Sequence, residues 1–464
     1  MVAFEVYDLI FLALFLVFVV IFLSVRRKNL QRQGILFLYK TKLGIEFIDW
    51  FSKKFDKPLK ILQYVVLISG FGLMIGIVWL LSKSTYLYLT TSIAQLIRAP
   101  PVFPVIPYFP KIFGLESLFP PLYFTYFIIA LGIIAIVHEF AHGIFARLYG
   151  LKIHSTGFAF LGPILGAFVE PDEKQMKKIP KFKQMVVLAA GTFANVLMTL
   201  LFAVIMALFF TNVFTPAGVK FSSYGLAEVP MADLTFVGNS SIEGYVELSA
   251  NGKTYFIEKR YWDLSIEREL EKTIVYEDTP AFRHQLIGAI VEIDERKIIN
   301  LKDLRYVLEQ YDAGDEVTVK TAILKPGQGT VAETRTYTFN LTSNAEGKAA
   351  LGIVFIPNSA SGFSGWIYKL FSEIKDPFTH YESAWGDFGW FIYYLLWWII
   401  VLNFLVALFN MLPLGILDGG RFFYLTVWGI TRKEKAGKWA YKIVMWLIFA
   451  QIIAMMVRWA LTFI

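Results

Sequence analysis

Apolar runs of helical length alternate along the chain with short basic stretches. Residues 9–25 are almost wholly apolar and stop at Arg26-Arg27-Lys28. Runs at 61–81, 122–146, 185–210, 388–412 and 440–460 repeat the pattern. A bilayer's hydrocarbon core is crossed by about 20 apolar residues in a helix, so these runs predict six transmembrane helices. Basic residues gather at 26–32, 147–152, 174–183 and 432–438. Short basic loops stay on the cytoplasmic side, which puts those loops inside and both chain ends outside. The first run lacks a basic leader, and the cluster behind it predicts an uncleaved anchor.

The stretches between the runs carry other patterns. Residues 33–57 mix Ile35, Leu36, Phe37, Leu38, Phe47, Ile48, Trp50 and Phe51 with Lys40, Lys42, Lys53 and Lys54, which predicts an interfacial helix on the cytoplasmic leaflet. Residues 84–121 hold Pro100, Pro101, Pro104, Pro107, Pro110, Pro120 and Pro121, too many for one continuous helix. They are expected to form an outer-surface or partly re-entrant cover. Residues 155–169 are apolar but interrupted by Gly157, Gly162, Pro163 and Gly166, and too short to span. A re-entrant hairpin or loop is expected there.

From 212 to 386 long apolar runs vanish and short alternating stretches replace them. Residues 244–248, 289–293, 316–320 and 336–340 read as strands, and 301–310 as an amphipathic helix. The expected fold is a polytopic α-helical membrane protein of about six transmembrane helices with an inserted β-rich extracytoplasmic domain. Its expected divisions are 1–83 for the first two spans and the interfacial helix, and 84–121 for the proline-rich segment. Catalytic halves follow at 122–211 and 387–430, flanking the 212–386 module, and a last span occupies 431–464.

Composition supports this outline. The 464 residues are 56% hydrophobic and 17% aromatic, which suits a bilayer better than a set of soluble domains. The net charge of +7 lies largely in short loops beside apolar segments, where it sets orientation, so no nucleic-acid surface is read from it. With no cysteine in the chain, histidines and carboxylates are left as metal ligands.

The third run contains His138-Glu139-Phe140-Ala141-His142. At 3.6 residues per turn the two histidines share one helix face about 6 Å apart along the axis, with Glu139 rotated by roughly 100°. Two imidazoles for a metal and a glutamate for a water is the zinc-protease spacing. Ionisable groups this deep in a membrane cost about 2.5 kcal/mol or more each at the centre, so three in five residues require a metal or water. Helix geometry puts His138 about 13 Å from Arg147 at the cytoplasmic exit, against about 25 Å from Leu122. Zinc in a hydrolytic site takes three protein ligands. His154, His284 and His380 are weak choices for the third, since each reads as an ordinary surface histidine. Asp418 is better placed, a carboxylate in apolar sequence at a comparable depth, although an Asp-Gly pair also makes turns. Asn195, inside the fourth run, requires a hydrogen-bond partner.

His138-Glu-Phe-Ala-His142 on one span and Asn410-x-x-Pro-x-x-x-Leu-Asp418-Gly-Gly on a later one resemble the two signatures of the site-2 protease family of intramembrane zinc metalloproteases. The resemblance implies that His138, His142 and Asp418 bind one zinc ion and that Glu139 is the general base. Gly191-Thr-Phe-Ala-Asn195 is similar to the family's Gly-x-x-x-Asn element, which implies that Asn195 helps bind the substrate or the oxyanion. Thr279-Pro-Ala, 290–294, 301–304 and 313–317 resemble in that order the PDZ modules carried by family members, most strongly over 279–355. The implied function is hydrolysis of a peptide bond inside the transmembrane segment of a membrane-anchored protein, in a lipid bilayer. A multi-pass cell-membrane protein is implied, with the module outside, the site open to the cytoplasm, and a fragment released there. Two readings compete: a membrane zinc protease acting on soluble peptides, and a scaffold or chaperone with a structural metal and a PDZ module.

Overall fold

A computed structural model describes residues 4–34, 36–91, 99–116, 118–161, 164–325, 330–357, 362–415 and 417–463. It divides into two compact units, residues 1–206 with 392–464, and residues 207–391.

In the first unit the helices are α1 (Phe4–Val25), α2 (Ile45–Lys54), α3 (Asp56–Thr90), α4 (Phe124–Leu148), α5 (Lys181–Val213), α6 (Gly386–Asn410), α7 (Asp418–Thr431) and α8 (Glu434–Ala460). Six of these, α1, α3, α4, α5, α6 and α8, are long and apolar enough to cross a membrane. The protein is thus a polytopic membrane protein with β-sheet-rich regions. α5 and α6 carry the chain from one unit to the other. The first unit's core joins Val66 of α3, Phe145 and Ala146 of α4, Val186, Val187, Ala189 and Ala190 of α5, and Phe422 and Leu425 of α7.

The start of α4 is held by a side chain from another helix. Asp8 of α1 is 1% exposed. Its carboxylate accepts the backbone N–H groups of Phe124 (2.7 Å) and Thr125 (2.9 Å), and the hydroxyls of Thr125 and Tyr108 (2.5 Å each). The first N–H groups of a helix have no internal partner and its N-terminus favours negative charge, so a carboxylate inside an apolar run finds its use here.

A four-stranded antiparallel sheet lies against α4 in the order β1-β2-β3-β4. Its strands are β1 (Leu30–Gln33), β2 (Leu36–Thr41), β3 (Ile153–Leu161) and β4 (Ile164–Pro171). This corrects one expectation. Residues 33–57 are not one interfacial helix, since their first part is strand, paired from Phe37–Thr41 to Thr156–Phe160, and helix covers 45–54 and, as the start of α3, 56–57. Of the hairpin or loop expected at 155–169, the structure shows a β-hairpin of β3 and β4, with Gly157 and Gly166 inside its paired strands. Residues 35, 162 and 163 lie outside the described residues. α3 also runs to Thr90, past the division expected at 83. Within 84–121 only Phe109–Ile112 is helical beyond α3 among the described residues, and 92–98 and 117 lie outside them.

The second unit is β-rich. Its first sheet is β5 (Phe214–Val219) with β11 (Ala289–Ile293), β12 (Glu316–Leu324), β13 (Val331–Asn340) and β14 (Thr379–Ser383), in the order β13-β12-β11-β5-β14, and the short strand Arg296–Lys297 pairs with β11. Val219, Ile290, Ile293, Val317, Val319 and Phe339 form its core with Leu304 and Val307 of the helix Leu301–Leu308. A second five-stranded sheet is formed by β6 (Leu226–Pro230), β7 (Thr235–Asn239), β8 (Tyr245–Ala250), β9 (Lys253–Glu258) and β10 (Lys272–Glu277), ordered β6-β10-β9-β8-β7 around Val229, Val246, Leu248, Ile257 and Val275. Periodicity predicted parts of β8, β11, β12 and β13; the others lacked clean alternation.

Candidate metal centre

His138 and His142 leave α4 one turn apart, and each imidazole meets α5 through Nδ1. Nδ1 of His142 is 2.6 Å from the carbonyl of Val187. A carbonyl only accepts, so Nδ1 carries the proton and Nε2 keeps its lone pair. Nδ1 of His138 lies 3.1 Å from the side-chain amide of Asn195, whose Oδ1 is buried with no other partner. Were the amide to give N–H to this nitrogen, Nε2 would hold the proton and the amide oxygen would stay orphaned. With the amide turned over, Oδ1 accepts from Nδ1–H, and Nε2 of His138 keeps its lone pair for a metal as Nε2 of His142 does. Val187, Gly191 and Asn195 recur every four residues, so one face of α5 serves both rings.

The two freed nitrogens face each other at 3.0 Å. Oδ2 of Asp418 lies 3.3 Å from Nε2 of His138 and 3.4 Å from Nε2 of His142. Three electron-rich atoms this close repel one another unless a cation holds them. Ligands around a tetrahedral zinc at about 2.0–2.1 Å stand roughly 3.3–3.4 Å apart, which the two Asp418 separations match, while the two imidazole nitrogens stand somewhat closer. Gly191 supplies the space: a Cβ there would lie 2.4 Å from Nε2 of His142 and 2.7 Å from Nε2 of His138. The donor set, its spacing and the glycine clearance fit a zinc ion held by His138, His142 and Asp418, which form the one such metal-binding group among the described residues.

Asp418 reaches this point because α7 begins with it. α6 ends at Asn410, and Gly419 and Gly420 stand in the first turn of α7. A Cβ on Gly419 would lie 2.2 Å from the carbonyl carbon of Met411, and one on Gly420 2.2 Å from the carbonyl oxygen of Leu414. Only glycines allow α7 to start against the turn that ends α6. Glu139 is anchored from the sheet, with Oε2 accepting the backbone N–H of Val169 on β4 at 2.9 Å. The amide nitrogen of Asn410 is 3.5 Å from Nε2 of His138, so Asn410 lies on the metal side of the ring and Asn195 on the other. The Asn195 amide thus meets the ring of His138 at Nδ1, the nitrogen turned from the metal group.

The sequence profile of Peptidase family M50 matches residues 126–451, more than half of the chain and inclusive of both ligand-bearing segments. The chain belongs to this family, the site-2 protease family. Members are metallopeptidases that use zinc. A relative, an uncharacterized protein of Methanocaldococcus jannaschii, is 25% identical over 398 residues, covering 84% of this chain and 78% of its own.

The remaining histidines of this M50 chain lie outside the metal group. His154 is 3.4 Å from Asp172 and half exposed, and His284 is exposed with Nδ1 against the carbonyl of Pro280. His380 overturns the expectation of an ordinary surface histidine, for the pairing of β14 with β5 buries it completely. Three contributors to the centre escaped sequence reasoning. The carbonyl of Val187 and the N–H of Val169 are backbone groups that every residue carries, and the clearance role of Gly191 was hidden in a motif quoted only for its asparagine.

Proposed function

We propose that the protein is a zinc endopeptidase that cleaves the transmembrane segment of membrane-anchored proteins. The observation that carries this reading is the convergence of His138, His142 and Asp418, with Glu139 held beside them, on helices of membrane-spanning character. When bound, zinc supplies Lewis-acid chemistry, making a water more acidic and a carbonyl more electrophilic. Oε2 of Glu139 is fixed by Val169, which leaves Oε1 to take the proton of the attacking water and return it to the departing amine. Asn195 is a positioning residue that holds the His138 tautomer, as outer partners of metal-binding histidines do. The amide of Asn410, on the metal side, is the better placed donor to charge that builds on the scissile carbonyl oxygen.

The sheet suggests how a substrate lies. β4 has no partner on its other edge among the described residues. Val169 turns its N–H toward that edge, and Thr156 pairs with Val169 as Phe158 does with Ala167. In an antiparallel pair the outward groups recur every second residue, so Ala167 and Leu165 offer N–H and C=O to the same side. An unwound substrate strand paired there would run past Glu139. Helices unwind in a bilayer only where other groups satisfy their backbone, and this edge supplies them. The basic loops support a site open to the cytoplasm, and the β-rich unit is read as an extracytoplasmic, PDZ-like filter on substrates.

Purified full-length protein in lipid nanodiscs, incubated with a single-span protein, tests the reading. Mass spectrometry should find the cut inside the apolar segment, abolished by a zinc chelator. Cuts confined to the flanking soluble sequence would refute it.

A further inference from the structure

A second cluster of buried polar groups lies in the β-rich unit, far along the chain from the metal ligands. On β5 and β14, Gly218 is opposite His380 and Val219 opposite Thr379, and the backbone N–H of Lys220 donates to the carbonyl of Phe378. Side chains alternate along a strand, so Lys220, two residues from Gly218, shares a face with His380 as its diagonal neighbour. His380 is 0% exposed and neither ring nitrogen has a hydrogen-bond partner. Buried polar atoms of this kind are almost always satisfied, and a neutral imidazole has one N–H to give.

The surroundings are cationic. The ammonium of Lys375 stands 5.7 Å from the ring centre of Phe210 and 5.4 Å from that of Trp390, and its charge is felt at Lys220. Burial pushes Lys375 down to about 8. Burial, with the charge of Lys375, does the same to Lys220. The imidazole of His380 falls to about 4 through burial and the charge of Lys220. No carboxylate among the described residues contributes to Lys220 or His380. Asp376, in the adjoining loop, is taken up by the N–H of Phe378 and the hydroxyl of Thr379, both at 2.9 Å.

Lys220 also borders a cavity of about 510 Å³ whose lining mixes Ser222 and Tyr368 with Phe221, Ile356 and Phe378. Such a cavity suits a ligand with an anionic part and an apolar part. Phe210 and Trp390 lie near the ends of the apolar helices α5 and α6, where tryptophan favours the membrane interface, so the ammonium above them stands at headgroup level. Basic pockets at that level bind lipid phosphates.

We propose that Lys220, Lys375 and His380 form a phosphate-binding site, and that the phosphate is the headgroup of an anionic membrane lipid. The ammonium groups offset its charge, His380 donates its ring N–H, and the apolar lining residues receive the start of the lipid's glycerol body.

The test uses delipidated full-length protein in non-ionic detergent, titrated separately with phosphatidylglycerol, phosphatidylcholine and inorganic phosphate while native mass spectrometry counts adducts. A saturable phosphatidylglycerol adduct is expected, weakened roughly fivefold or more by Lys220→Gln and restored by Lys220→Arg, with phosphatidylcholine held more weakly. Lys375→Gln should act likewise; because Lys375 is buried, Lys220→Gln decides if that variant fails to fold. Inorganic phosphate bound with the same Lys220 dependence, without phosphatidylglycerol, would overturn the lipid assignment and leave a site for soluble phosphate. Phosphatidylglycerol adducts indifferent to Lys220→Gln, or equal retention of phosphatidylcholine, would overturn the site altogether.

Discussion

Buried His138 and half-buried His142 in the first unit and buried His380 in the second have opposite neighbours. The first two have Nδ1 committed to Val187 and Asn195, and both turn Nε2 toward the carboxylate of Asp418. His380 has neither nitrogen engaged and two lysines for company. Aligned lone pairs beside a negative charge attract a cation; an N–H among ammonium groups attracts an anion. The difference teaches that burial alone does not say what a histidine binds, and that the sign of the nearest charge and the nitrogen left free do.

The severest way to break the contrast is to give the metal point the other cluster's neighbour. Asp418→Lys should abolish both metal binding and cleavage, read by metal analysis and substrate turnover, because a cation then faces two imidazoles. Metal retained in that variant would place the centre elsewhere. Glu139→Gln separates holding from reacting: metal content should stay at the parental level while cleavage falls by roughly 10²–10⁴, measured on one preparation.

Asn195→Ala sharpens the claim that the tautomer matters. It leaves all three ligands in place yet should weaken zinc affinity about 10- to 100-fold, as competition with a chromogenic chelator would show. Cleavage at saturating zinc should fall far less, whereas an oxyanion role would lower turnover and leave affinity alone.

The smallest effect is expected at the other histidine. Burial, with the Lys220 charge, holds His380 at about 4, whereas the unfolded chain binds this proton near 6.5. The folded state thus holds fewer protons between those values, and stability should fall as pH drops from about 6.5 toward 4 and be complete above that window. Lys220→Glu reverses the neighbour's sign and should raise the His380 value, which NMR titration of the imidazole and a shallower melting decline in acid would register.

What could be read from the letters follows from how local each feature is. A span is a run of about 20 residues with one character, so α1, α3, α4, α5, α6 and α8 were visible, and the His138–His142 pair was visible because four residues make a turn. Asp418 needed a second motif and an argument from depth. The sheet beside α4 was not visible, since strands at 30–41 form only by pairing with strands at 153–171, and the apolar and basic letters of 33–57 suit an interfacial helix equally well. His380 was misread for the same reason: its burial comes from a strand more than 150 residues away. The need for Gly419 and Gly420 in the first turn of α7 was not visible, because glycines normally weaken helices and only the close approach to Met411 and Leu414 explains them.

The central claim is that one zinc, held by His138, His142 and Asp418, drives cleavage of a membrane-spanning substrate. Its most direct test is the cleavage rate of a single-span protein in nanodiscs as zinc is titrated into metal-free enzyme. The account predicts no cleavage without metal and a rise that saturates at one zinc per chain in the parent, with no rise in Asp418→Lys. Cleavage by the metal-free protein, or the same zinc-dependent rise in Asp418→Lys, would contradict it.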